Sequence, residues 1–202
     1  MGVSGAAMIE TKQAAWSAIE KAWPMIVEEC SAVLGSELHY QAMIYHALRA
    51  AGGVPRGQLG MNVKQWITDP VSKLFRELDL SKHENYRGGF EPIPDIVIFS
   101  PEIEGDWRRR NREKTLEHML VAIEVKASER EGGRLSPSEI SKDILKLCAH
   151  REEAQHRGAD FVPVMMVIDT APIASERMTS RAISASQALC EQHSVIWKYL
   201  SA

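Results

Sequence analysis

Cysteine is scarce in this chain: Cys30, Cys148 and Cys190 are the only three among 202 residues. The count is odd, and no two of them form a CxxC pair, which argues against a disulfide framework and against a zinc knuckle. Reduced thiols of a cytoplasmic protein are the expectation. Long apolar runs are lacking as well; none approaches the roughly 20 residues that a bilayer-crossing helix needs. The small apolar start, residues 1–9, has no basic flank, and Glu10 and Lys12 interrupt it too early for a signal peptide. Neither sign of charge dominates: 24 basic and 27 acidic residues leave a formal net charge of -3. That balance neither marks nor excludes a nucleic-acid partner, because an average hides local patches. No Walker A sequence, no G-x-S-x-G and no G-x-G-x-x-G occurs, so motor, serine-hydrolase and dehydrogenase chemistry have no support. The seven histidines form no metal-like cluster. His39 and His46 share a helical face, but two ligands are too few for zinc.

What is present is an ordinary globular composition with 45% hydrophobic residues, enough for one buried core and a single domain over 1–202. Residues 6–34 read as a helical N-terminal extension with Ala14, Ile19, Trp23, Ile26 and Val27 on one side and a kink at Pro24. Ser36 is a reasonable cap for a helix to about Ala50, stopped by Gly52 and Gly53. Residues 60–67 predict a short strand, and Thr68-Asp69-Pro70 opens a helix to about Leu78. Residues 93–99 and 120–127 are strong strand patterns separated by a polar connection. Ser136-Pro137-Ser138-Glu139 predicts a helix start, with proline at the first helical position and glutamate three residues after the cap. A strand at 161–168, a helix at 175–191 and a strand at 194–199 complete the chain. The order predicts an α/β fold with helices covering a central mixed sheet.

The strand Val121-Ala122-Ile123-Glu124-Val125-Lys126-Ala127 holds an anomaly. Side chains alternate faces, so Glu124 and Lys126 project side by side from an otherwise buried strand. An uncompensated buried charge costs several kcal/mol, on the order of a lost ion pair. The preceding strand opens with Asp95 and is apolar beyond it. If the strands are neighbours, Asp95 and Glu124 converge, and two crowded carboxylates call for a cation. Oxygen ligands suit a hard ion, Mg2+ or Mn2+.

Pro94-Asp95, followed by Glu124-Val125-Lys126, resembles the signature of the PD-(D/E)XK nuclease superfamily, which includes restriction endonucleases, repair nucleases and junction resolvases. The resemblance implies a restriction-endonuclease-like core of helix, three strands, helix and strand over roughly residues 36–168, with extra terminal helices. It also implies metal-dependent hydrolysis of DNA phosphodiester bonds. In that reading Asp95, Glu124 and the main-chain carbonyl of Val125 hold the metal. Glu37, on the first core helix, binds a second ion or its water, and Lys126 orients or deprotonates the attacking water. Gln41 lies one turn after Glu37 on the same face.

Contacts to DNA are expected from Arg108, Arg109, Arg110 and Arg112 in the long connection, from Lys142 and Lys146 one turn apart on the next helix, and from Tyr86 and Arg87. Taken singly, each of these residues also has a plain reading. Asp95 suits a strand entry, Glu124 and Lys126 an exposed ion pair, Glu37 a helix start, and the arginine run a solvated loop. A second function class therefore stays open: an inactive nucleic-acid-binding or subunit-interaction domain of the same fold. A homodimer through segment 6–34, with Trp16 and Trp23, is a further expectation.

Overall fold

A computed structural model describes residues 7–128 and 134–201. The first helix, α1 (Lys12–Ser31), is capped by Thr11, whose side chain accepts from the Ala14 N–H at 3.1 Å. Its buried stripe is Ala15, Ala18, Ile19, Ala22, Ile26 and Cys30, a helical repeat that turns Ala14 to solvent and leaves Trp23 half-buried. The helix runs unbroken through Pro24, which faces solvent. Ser36 caps α2 (Glu37–Ala50) through the His39 N–H at 3.4 Å.

The strand predicted at 60–67 is confined to β1 (Leu59–Met61). Asn62 ends it in the left-handed region at φ 52°. The chain then stays extended beside residues 90–95, bonded from Asn62 N to Asp95 O at 2.9 Å, Gln65 N to Pro92 O at 3.1 Å and Ile67 N to Phe90 O at 2.8 Å. Pro92 and Pro94 have no N–H to donate, so this ribbon never becomes a full ladder.

Next come α3 (Lys73–Leu80), β2 (Ile96–Phe99), the short α4 (Arg112–Glu117) and the long β3 (Met119–Ala127). They are followed by α5 (Pro137–His156), β4 (Val162–Asp169), α6 (Ser180–Gln192) and β5 (Ile196–Ser201). α3 begins later than the Asp69-Pro70 cue suggests, because Ser72 is its cap and the buried carboxylate of Glu153 accepts the Ser72 N–H at 2.7 Å. Pro137 opens α5 as predicted, but the Ser136 hydroxyl caps nothing and bonds Ser138 Oγ at 2.7 Å instead.

The sheet has five strands in the order β1-β2-β3-β4-β5. The first three pair antiparallel, and β3, β4 and β5 pair parallel. It is an open mixed α/β sheet with a core on each side. Ile96, Ile98, Val121, Ile123 and Val125 pack against α1 and α2, while Val97, Phe99, Ala122, Met165 and Val167 face α3, α5 and α6. α1 thus belongs to the main layer. Trp16 and Trp23 face inward within the chain: Lys198 Nζ of β5 lies 5.2 and 4.9 Å from their ring centroids. Among the described residues, no helix is long and apolar enough to cross a membrane.

Candidate functional site

The sheet brings Asp95 and Glu124 together. Ile96 and Ile123 are paired across β2 and β3, and Asp95 and Glu124 stand one position further along. Both share the sheet face of Val97 and Ala122, as strand alternation requires. Asp95 is only 7% exposed, and its Oδ2 accepts the Val125 N–H at 2.7 Å. This bond fixes the carboxylate against the neighbouring strand and leaves Oδ1 for another partner.

Lys126 projects from the same face. Its ammonium lies 2.9 Å from Glu37 Oε2 and 3.2 Å from Asp143 Oδ2. Glu37 is therefore brought into the site by the N-terminus of α2, where it engages the lysine. Asp143 is absent from the sequence-based set. It is 6% exposed on α5, and its other oxygen accepts from Lys146 at 3.0 Å. In sequence Asp143 and Lys146 look like an exposed pair on a solvated helix; only the packing of α5 over β3 turns the carboxylate inward.

Other expected residues are placed differently. Gln41 is buried, and its Oε1 accepts from Asn62 Nδ2 at 3.1 Å. Asn62 in turn donates its N–H to Asp95 O, so Gln41 braces the turn beside Asp95. Lys146 reaches the site through Asp143, whereas Lys142 is exposed on the same helix. Arg87 and Tyr86 lie exposed in the loop before Phe90, with Arg87 Nε donating to Lys82 O at 3.3 Å. The arginine run joins the far ends of β2 and β3, after Phe99 and before Met119. Arg108 there is held by Asp106 in a fork of 2.7 and 2.6 Å, and Arg109 pairs with Glu91 at 2.5 Å.

The electrostatics are those of crowded acids. Burial pushes the Asp95 carboxyl up to about 6; the Val125 N–H opposes this, the charges of Glu37 and Asp143 add to it, and Lys126 opposes it. Glu124 is raised well above the ordinary carboxylate value, first by burial and then by Asp95 and Asp143. Burial alone would lower the Lys126 ammonium, but the Glu37 hydrogen bond and the Asp143 charge outweigh it and hold the group above its usual value.

Among the described residues, no group of three or more His, Cys, Asp or Glu side chains is arranged to hold a metal ion. The oxygen pair of Asp95 and Glu124 nonetheless fits a magnesium ion, which keeps several waters and is commonly held by one or two carboxylates with substrate phosphate. Glu37 stands at the same centre, with its Oε2 engaged by Lys126. Val125 enters through its N–H on Asp95; its carbonyl lies on the same stretch of β3. Comparison with protein-family models, with curated proteins and with solved structures finds no match.

Proposed function

We propose that this chain is a metal-dependent deoxyribonuclease of the PD-(D/E)XK type, cutting phosphodiester bonds at the centre formed by Asp95, Glu124 and Lys126. The observation that carries this reading is the placement of two carboxylates, raised first by burial and then by neighbouring acids, across adjacent antiparallel strands, with an ammonium two residues along. With α3 and α4 as insertions between strands, the order α2, β1, β2, β3, α5, β4 supports it, being the element order of this superfamily's core.

A divalent cation at Asp95 and Glu124 would supply positive charge to the scissile phosphate and acidify the attacking water. The chain's own residues do the positioning. Val125 N–H aims Asp95, and Asn62, braced by Gln41, fixes the backbone at Asp95. Glu37 and Asp143 hold the Lys126 ammonium in one place, where it orients water and offsets charge growing on the phosphate oxygens.

Plasmid DNA incubated with the protein and Mg2+ is expected to be nicked or cut. Asp95→Asn and Lys126→Ala should each lower the rate by at least about 100-fold with unchanged circular dichroism. Mg2+ should raise the melting temperature of the parent and leave that of Asp95→Asn in place. Cleavage that survives both substitutions removes these residues from the chemistry. The engagement of Lys126 by two carboxylates favours one second reading, an inactive nucleic-acid-binding domain. DNA binding without any Mg2+ effect on melting would select it.

A further inference from the structure

Away from the acidic centre, a concavity of about 750 Å3 opens against Trp66, with Arg109, Arg110, Asn111 and Arg112 among its walls. We infer that it binds one unpaired nucleotide unit of a single-stranded nucleic-acid segment, phosphate to the arginines and base beside Trp66.

Trp66 is the fixed part. It stands on the extended ribbon that begins beside Asp95, and it is half-buried. Gly89 lies against it so closely that a Cβ there would come within 2.8 Å of Trp66 Cζ2 and 2.5 Å of the Ile67 carbonyl oxygen. Lys82 Nζ lies 5.8 Å and the Arg109 guanidinium 5.6 Å from the indole centroid. Arg109 is further paired with Glu91 at 2.5 Å, which keeps the guanidinium beside the indole.

The other two guanidiniums are different. Arg108 is spent on Asp106, and Lys114 reaches Glu104 at 3.3 Å. Among the described residues Arg110 and Arg112 make no side-chain hydrogen bond or contact ion pair, although the Arg110 charge helps hold the Asp106 carboxyl low, and both line the concavity. A guanidinium fork without a carboxylate matches the oxygen geometry of a phosphate. An aromatic wall capped by an arginine plane matches a base. Glu113 lies on the same rim; it would repel a bare polyanion and accept from a base N–H, such as N3–H of thymine. A cavity of this shape meets the flat face of a base only if that base is unpaired. The ribbon from Asp95 to Trp66 spans four residues, roughly 13 Å of extended backbone. A segment a few nucleotides long can touch both places. The inference rests on the nuclease reading only in taking nucleic acid as the ligand.

The test is a fluorescence-anisotropy titration of a labelled twelve-nucleotide oligothymidine with the full chain, in EDTA, between 50 and 300 mM KCl. The expected result is that Arg110→Ala with Arg112→Ala weakens binding at least tenfold. The double change should also lower the slope of log K against log salt by about 0.7, the share of the one phosphate the two arginines hold. Trp66→Ala should weaken binding as well and Trp66→Phe should restore most of it. Lys21→Ala, on the exposed side of α1, should bind like the parent. Unchanged affinity and slope in the arginine double variant overturn the inference, as does equal competition by duplex of the same length or by inorganic tripolyphosphate. Because no metal is present and no cleavage is read, this result is independent of the acidic centre. Loss of binding in the pocket variants, with no cleavage by any form, sinks the nuclease reading alone. Cleavage abolished by Lys126→Ala, with normal binding by the pocket variants, sinks the pocket alone.

Discussion

Asp143 has both carboxylate oxygens engaged, one by Lys126 and one by Lys146, and it is nearly out of water. Asparagine has the same shape and lacks the charge. Under the proposed nuclease reading, Asp143→Asn is therefore expected to lower kcat about tenfold or more, with KM within about threefold, because Lys126 loses one of its two anchors. An unchanged kcat in a folded variant removes Asp143 from the site. His150 makes a second residue-scale prediction. It is buried between Phe161 and Phe75, and its Nε2 finds no hydrogen-bond partner among the described residues. Burial drops its pKa to about 3 from an ordinary 6.5. Below pH 6.5 the unfolded chain takes up a proton that the folded chain refuses, so stability falls as pH falls toward 3. Asp95 and Glu124, raised in the folded chain, gain stability over the same fall in pH, so the His150 share is read as a difference: between pH 7 and pH 4.5 the parent should lose on the order of 2–3 kcal/mol more in urea unfolding than His150→Leu does. An equal slope in the variant would show that other groups control it. The sequence reveals Asp95, Glu124 and Lys126 because strand alternation is a local rule. Asp143 is hidden because helix burial is set by what packs on top.

At the scale of elements, α1 contains a proline in its middle and does not break there. Pro24 removes a hydrogen bond from the interior of the helix, yet Ala22 and Ile26 on either side stay fully buried, so packing on the sheet overrides the local penalty. Pro24→Ala is expected to stabilise the protein by about 1–3 kcal/mol, with part of the gain returned to the more flexible unfolded chain. A urea midpoint at or below that of the parent would contradict it. The same competition explains the elements that sequence patterns place less well. The apolar period finds α1 and sets Ile19 and Ile26 on its buried face, but it starts that face at Ala14, where Ala15 is the buried residue. The alternation through Met61 to Ile67 is genuine, but Asn62 turns left-handed and Pro92 and Pro94 cannot donate, so the strand stops early. For the arginine run, composition gives the positive charge but not its distribution, since Asp106 and Glu91 claim two of the side chains.

For the whole molecule, the strand order matches the chain order, and β3 is the middle strand. On one side it closes an antiparallel hairpin with β2; on the other it pairs parallel with β4 across the α5 crossover. Asp95 comes from the first half, Asp143 from the second, and Glu124 and Lys126 from the strand they share. Fraying at either edge of a sheet opens amides there long before the centre. The amides of Ile123 and Val125 should therefore be among the slowest to exchange with deuterated solvent, at rates set by global opening, while those of β1 and β5 exchange sooner. Val125 adds a local reporter, since its N–H is closed onto Asp95 itself. Protection at that one amide reads whether the acidic pair is assembled, and it should disappear with whole-chain unfolding and not with the loosening of any single edge.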